Sequence, residues 1–159
     1  MTRRGVLTVS TIVMIMAGTF GFTMVHRDVE AHCQVPCGIY DDAARIAQLR
    51  EDSTTIAKAI DNIRKMAGAH NATAVNQAVR WIAAKEDHAS NIIKVVSEYF
   101  LTQKVKPVAT GKDGHEKYLE ALADHHAVMV AAMKTKQAAD PATVSARNDA
   151  IDALAKHYE

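Results

Sequence analysis

The chain has few of the residues on which β-structure and disulfide frameworks depend. Of its 159 residues only 5% are aromatic, three are Pro and seven are Gly, whereas hydrophobic residues make up 48%. A β-sandwich would need more aromatic and β-branched residues, so this composition favours helices. The length suggests one domain plus whatever is removed from it. With two Cys, four residues apart, the sequence excludes a disulfide framework.

The chain also lacks an excess of charge of either sign. Its 19 basic and 18 acidic residues give a formal net charge of +1 at pH 7. Removal of residues 1–31 would take away three Arg, one Asp and one Glu, and would leave 16 basic and 16 acidic residues. Proteins that bind nucleic acids usually carry a clear basic excess, so the sequence predicts no such partner.

The first thirty-one residues have the pattern of an export signal. Two arginines near the start precede an uncharged apolar run at residues 6–25. Val29 and Ala31 place small residues before His32, as signal peptidase requires, so residues 1–31 are predicted to be a cleaved signal peptide. Because the apolar run is long for a signal peptide, a retained membrane anchor is the alternative. Either reading takes the protein out of the cytoplasm, and we expect a periplasmic location, reached by the general or the twin-arginine route.

Residues 41–159 are predicted to form an all-α, antiparallel four-helix bundle. Apolar residues recur there at helical spacing, and short loops separate the periodic segments. The predicted helices cover about residues 42–67, 72–104, 115–138 and 141–158. In the second helix, Val75, Val79 and Ile82 are expected to begin the apolar stripe that faces the core.

The chemistry is predicted to lie where the mature chain would begin. Taken alone, Cys33 and Cys37 could form a disulfide that closes a small loop, or could bind a metal. Cleavage after Ala31 would give His32 a free α-amine next to its imidazole and its first peptide bond. Two nitrogens and two thiolates in one plane suit Ni²⁺ or Cu²⁺ rather than tetrahedral zinc. The segment therefore predicts a redox-metal site that exists only after cleavage.

Residues 32–40 resemble the nickel hook of nickel-containing superoxide dismutases. The matching positions are His32, Cys33, Pro36, Cys37, Gly38 and Tyr40. The resemblance continues through the rest of the chain in its length, its helical pattern and the segments Ser-Glu-Tyr-Phe at 97–100 and Asp-Pro-Ala-Thr at 140–143. The chain is identified from these residues as a member of that family, with an N-terminal hook at 32–40 that precedes the bundle.

The resemblance implies a role for each residue of the site. Nickel would be bound by the α-amine and imidazole of His32, the backbone nitrogen and thiolate of Cys33, and the thiolate of Cys37. Tyr40 would stand over the open face of the nickel and control entry, and Tyr99 would be the family's second tyrosine near the site. In some members a Glu and an Arg steady the imidazole; His88 falls near the expected Arg and is a candidate to replace it.

The resemblance also implies the activity and the assembly. The substrate would be superoxide, which a Ni(II)/Ni(III) cycle converts to O₂ and H₂O₂, and the protein would be a homohexamer. One alternative is an exported nickel or copper binding protein without catalysis. Another is a structural bundle with a disulfide between Cys33 and Cys37. Tyr40 and Gly38 favour the enzyme, because a simple chelator would not need them.

Overall fold

The computed structural model describes residues 38–159, and within that part the chain forms four α-helices and no strand. The predicted signal peptide and the residues His32, Cys33 and Cys37 lie outside the described residues. The helices are α1 (Asp42–Met66), α2 (Ala72–Lys94), α3 (His115–Gln137) and α4 (Ala142–Ala155). A π-helical segment, Val95–Lys104, continues α2 without a break.

Each α-helix packs against two others, as expected for a helical bundle. Helix α1 contacts α2 and α4, and α3 contacts the same two helices. The predicted all-helical fold is confirmed, and the helix ends lie close to where the sequence placed them. Helix α1 starts after Asp41, whose carboxylate accepts a hydrogen bond of 2.9 Å from the amide of Ala44. Just after α1, Gly68 has a φ of +85°, a conformation that L side chains rarely adopt.

The core of the bundle is built mainly from aliphatic side chains. The apolar stripe of α1 and, beyond the first turns of α2, the inward residues of the other helices are buried or partly buried. Among the described residues, the fully buried apolar side chains larger than Ala are Ile46, Leu49, Ile56, Ile60, Ile92, Val96, Phe100, Val128, Ile151 and Leu154. Burial of each such side chain contributes roughly 1.5–3 kcal/mol, so these core side chains are a main source of the stability of the bundle.

Two buried cations join helices through backbone groups. Arg147 of α4 donates to the hydroxyl of Ser53 at 2.7 Å and to its carbonyl at 2.9 Å, which ties α4 to α1. Burial lowers the pKa of Arg147 to about 10. Lys85 of α2 donates to the carbonyls of Thr135 and Lys136, both at 2.7 Å, and thereby satisfies the carbonyl end of α3.

One part of the predicted core is wrong. Val75, Val79 and Ile82 are 53%, 59% and 43% exposed, so the first turns of α2 carry an apolar stripe on the outside. Helical periodicity reveals that a stripe exists but not which surface covers it, and for this stripe no other described helix does. Within residues 38–159, no helix combines the length and apolar character needed to cross a bilayer.

Candidate functional site

The structure brings together the two predicted tyrosines of the site. The rings of Tyr40 and Tyr99 meet edge to face, with centroids 5.7 Å apart and planes at 81°. Tyr40 is 38% exposed and Tyr99 only 5%, so Tyr40 is the outer ring and Tyr99 the inner one. Tyr40 follows the predicted ligand Cys37 by three residues, a span of at most about 11 Å of extended chain. The three predicted metal ligands themselves lie outside the described residues.

The hydroxyl of Tyr99 is held by a carboxylate at the start of α1. It donates a hydrogen bond of 2.7 Å to Oδ1 of Asp42. Burial, and then this hydrogen bond to Asp42, raise the pKa of Tyr99 to about 12. Tyr99 is therefore a neutral, fixed donor at physiological pH, and its ring gives Tyr40 a rigid surface to rest on.

Two cations complete the surroundings of the tyrosine pair. The ammonium of Lys104 lies 3.0 Å from Oδ2 of Asp42 and 4.6 Å from the centroid of the Tyr40 ring. The guanidinium of Arg45 lies 5.4 Å from the centroid of the Tyr99 ring. Each tyrosine thus has a cation over its face, an arrangement attractive to the negative face of an aromatic ring.

A third tyrosine, Tyr158, contacts the ring of Phe100, which also contacts Tyr99. The Phe100 centroid is 4.9 Å from that of Tyr99 and 4.4 Å from that of Tyr158. Nδ1 of His125 lies 2.6 Å from the carbonyl of Ala121 and must carry the proton, so Nε2 accepts from the Tyr158 hydroxyl at 2.7 Å. Burial is the main cause that lowers the pKa of His125, which keeps this pair uncharged.

Sequence reasoning missed the charged residues of the site. Asp41 and Asp42 are both of a residue type that caps helices; the structure gives the cap of α1 to Asp41 and leaves Asp42 to Tyr99. Lys104 stands five residues after Tyr99, a spacing that an α-helical pattern places on a different face. The sequence offered one signal for Asp42: two carboxylates are adjacent at the start of α1, and a helix cap needs only one of them.

His88, the candidate partner of the axial imidazole, has a carboxylate partner in the bundle. Its Nδ1 lies 2.6 Å from Oδ1 of Asp52, and Asn91 donates to Oδ2 of the same carboxylate at 2.7 Å. Asp52 lies ten residues beyond Asp42 on α1, about 15 Å along the helix axis. The suggested role of His88 near the nickel stays a prediction.

Comparison with known proteins decides the family. A model of the nickel-containing superoxide dismutase family matches residues 27–159. The chain belongs to the nickel-containing superoxide dismutase family. It is accordingly an oxidoreductase that acts on superoxide and uses a nickel cofactor. Comparisons with curated proteins and with solved structures found no match.

The N-terminal segment of this superoxide dismutase contains residue types whose donor atoms suit nickel. Among residues 38–159, no group of three or more His, Cys, Asp or Glu side chains is arranged to hold a metal ion. The only two cysteines of the chain are Cys33 and Cys37, and both fall in the matched range together with His32. Thiolates with amine and amide nitrogens are donors that suit a square-planar ion such as Ni²⁺.

Proposed function

We propose that this superoxide dismutase works from a mature chain that begins at His32. The ligands would be the α-amine and imidazole of His32, the backbone nitrogen and thiolate of Cys33, and the thiolate of Cys37. One observation carries the proposal: the motif that contains these donors ends at Tyr40, whose ring the structure finds against Tyr99. Nickel bound there would supply a one-electron couple that accepts an electron from one superoxide and passes it to the next.

The residues of the chain have separate tasks in this proposal. Tyr40, partly exposed and close in sequence to Cys37, controls which molecules reach the metal. Tyr99, buried and bound to Asp42, fixes the position of the Tyr40 ring. Because the Tyr99 proton is engaged by Asp42 and its pKa is raised to about 12, we do not assign Tyr99 the proton that peroxide formation consumes.

Export and cleavage precede activity in this account. The amine ligand does not exist while Ala31 is attached to His32, since that nitrogen is then part of a peptide bond. A peptide nitrogen carries a delocalised lone pair and is a poor metal ligand unless it is deprotonated. We therefore propose that signal peptidase creates the site, that nickel is loaded afterwards, and that the enzyme acts in the periplasm.

We further propose a homohexamer, supported by the uncovered apolar surface of α2. Contiguous apolar patches on soluble proteins commonly mark interaction sites. Val79→Asp, in the centre of the exposed stripe, should lower the mass measured by light scattering. Asn76→Asp adds the same charge to the same helix outside the stripe and should leave the mass unchanged. Equal masses for both variants would remove this support.

The proposed site is tested by comparing three forms of the mature protein. One begins at His32, one carries one additional Ala before it, and one has Cys37→Ser. Only the first is expected to bind stoichiometric nickel and to accelerate superoxide decay. Full activity of the extended form would overturn the amine ligand. Stoichiometric nickel without faster superoxide decay in the first form would instead favour the metal-binding alternative.

A further inference from the structure

The π-helical segment Val95–Lys104 is an unusual continuation of α2. Its winding shows in bonds to carbonyls five residues earlier: the amide of Val105 donates to Phe100 at 2.9 Å, and the hydroxyl of Thr102 donates to Ser97 at 2.7 Å. π-Helices are rare, mostly span a single turn, and are found frequently at functional sites. A segment of ten residues with this winding therefore calls for a physical reason.

The winding brings Tyr99 and Lys104 to one carboxylate. In an α-helix, residues five apart point about 140° away from each other. Bonding from each residue to the fifth one before it widens the turn and brings such residues onto the same side. Here the Tyr99 hydroxyl reaches Oδ1 of Asp42 at 2.7 Å, and the Lys104 ammonium reaches Oδ2 at 3.0 Å.

The same winding places Lys104 over the outer tyrosine. Its ammonium is 4.6 Å from the centroid of Tyr40, whose edge-to-face partner is Tyr99. Tyr40, Tyr99, Asp42 and Lys104 thus form a closed cluster in which each side chain touches the next. Tyr40 precedes α1 and has no helix of its own to orient it, so these contacts fix its ring.

The charges of the cluster suit a role in holding the Tyr40 ring in place rather than in attracting an anion. Within the cluster, the negative charge of Asp42 balances the positive charge of Lys104, and the neighbouring Asp41 and Arg45 add one charge of each sign. Lys104 is moreover paired with Asp42 at 3.0 Å. A neutral cluster does not concentrate a small anion as a surplus of positive charge does.

We propose that the π-helical segment positions the access-controlling tyrosine: it presents Lys104 to Asp42 and to the face of Tyr40, and so holds Tyr40 against Tyr99. Lys104 and Asp42 are positioning residues in this proposal, and neither touches the metal or superoxide. The proposal rests on the proposed role of Tyr40 in controlling access. A cation over a ring at this exposure corresponds to about a two- to fivefold preference for the held position.

The test follows the Tyr40 ring by NMR in the purified, diamagnetic reduced holoenzyme. Lys104→Met keeps the side-chain length and removes the charge. It should lower the ratio of held to released Tyr40 about two- to fivefold and thereby weaken the nuclear Overhauser cross-peaks between the Tyr40 and Tyr99 rings. Lys104→Arg keeps the cation and should retain the cross-peaks. Lys94→Met, an exposed lysine of α2, is the control and should leave them unchanged. Cross-peaks of unaltered intensity in Lys104→Met would overturn the proposal.

A kinetic measurement separates this inference from the function on which it rests. Tyr40→Ala should change the KM for superoxide if Tyr40 controls access. Unchanged KM and kcat in that variant would remove the role of Tyr40, whereas the cross-peaks test only how its ring is held. Electrostatic steering by Lys104 would make superoxide decay more sensitive to salt in the wild type than in Lys104→Met. If Lys104→Met alters the cross-peaks while added salt slows superoxide decay equally in both proteins, positioning is supported over steering.

Discussion

Two tyrosines that contact the ring of Phe100 have different hydrogen-bond partners. Tyr99 is buried and donates a hydrogen bond to the carboxylate of Asp42, beside cations and an exposed ring, whereas Tyr158 is half-buried and donates a hydrogen bond to the neutral ring of the buried His125. Burial is the largest cause of a raised pKa for both tyrosines. The difference teaches that burial alone does not mark a functional tyrosine; the direct hydrogen bond to Asp42 and the contact with the exposed ring of Tyr40 distinguish Tyr99.

The largest effect on stability is expected from removing the Phe100 ring, which contacts both the Tyr99–Asp42 pair and the Tyr158–His125 pair through their tyrosines. Phe100 is fully buried and contacts both tyrosines, so Phe100→Ala should lower the free energy of unfolding by about 3–5 kcal/mol. Denaturant unfolding measures this loss. The neighbouring Leu101 is partly exposed, and Leu101→Ala should cost clearly less. Equal losses for the two variants would mean that Phe100 does not support both pairs.

The Tyr158–His125 pair should make the free energy of unfolding depend on pH, because His125 is buried. The pKa of His125 is lowered from 6.5, mainly by burial, so the unfolded chain binds a proton that the folded one does not. Its contribution is present above pH 6.5 and is lost as the pH falls, by up to about 1.4 kcal/mol per pH unit. His125→Gln should flatten this slope between pH 6.5 and pH 5, whereas His126→Gln, at an exposed neighbour, should not. Parallel slopes for both variants would contradict a buried neutral His125.

Removal of the Tyr158 hydroxyl should lower stability without changing activity. Tyr158→Phe leaves Nε2 of His125 without its donor and should cost about 1–2 kcal/mol of unfolding free energy. It should leave superoxide decay unchanged, because this pair is not part of the proposed site. Tyr99→Phe is the matched variant at the other pair and should alter the kinetics. An altered rate for Tyr158→Phe, measured on folded protein, would remove the functional distinction between the two pairs.

The smallest effect concerns the charge beside Tyr99. In Asp42→Asn, the pKa of Tyr99 should fall from about 12 but stay above 10, because burial, its largest cause, remains. The pKa of Tyr99 is measured by following the ultraviolet absorbance of tyrosinate as the pH is raised. The raised pKa of Tyr99 contributes stability that is present below pH 10 and lost as the pH rises towards 12, and Asp42→Asn should narrow that window.

A neighbouring carboxylate supplies the control for that charge. Asp41→Asn removes the same charge at the same helix end but keeps a good capping residue. It should leave the Tyr99 titration close to that of the wild type. If the two variants shift the pKa of Tyr99 equally, the hydrogen bond to Asp42 is not the contact that raises it.

The features predicted well are those with a local signal. Ile46, Leu49 and Phe100 recur at helical spacing, so the bundle and much of its core follow from periodicity. The proposed nickel ligands also rest on a local signal, a short motif behind a predicted cleavage site, but they lie outside the described residues and stay a prediction. The pairing of Tyr40 with Tyr99 is a contact between distant segments, and only family resemblance indicated it.

The features that were missed depend on tertiary context. The exposure of Val79 was not predictable, since a periodic stripe looks the same whether a helix of this chain covers it or not. The π-helical winding has no marker in composition, so the approach of Lys104 to Asp42 could not be read from spacing. Asp42 resembled a helix cap until the structure showed that Asp41 fills that role.

The central claim is that the nickel site is created when His32 becomes the first residue of the chain. The most direct measurement is the N-terminal sequence of the exported protein together with its nickel content and superoxide decay rate. The account predicts a chain that begins with His32, carries stoichiometric nickel and accelerates superoxide decay. A chain that starts before His32 and yet holds nickel with full activity would contradict it.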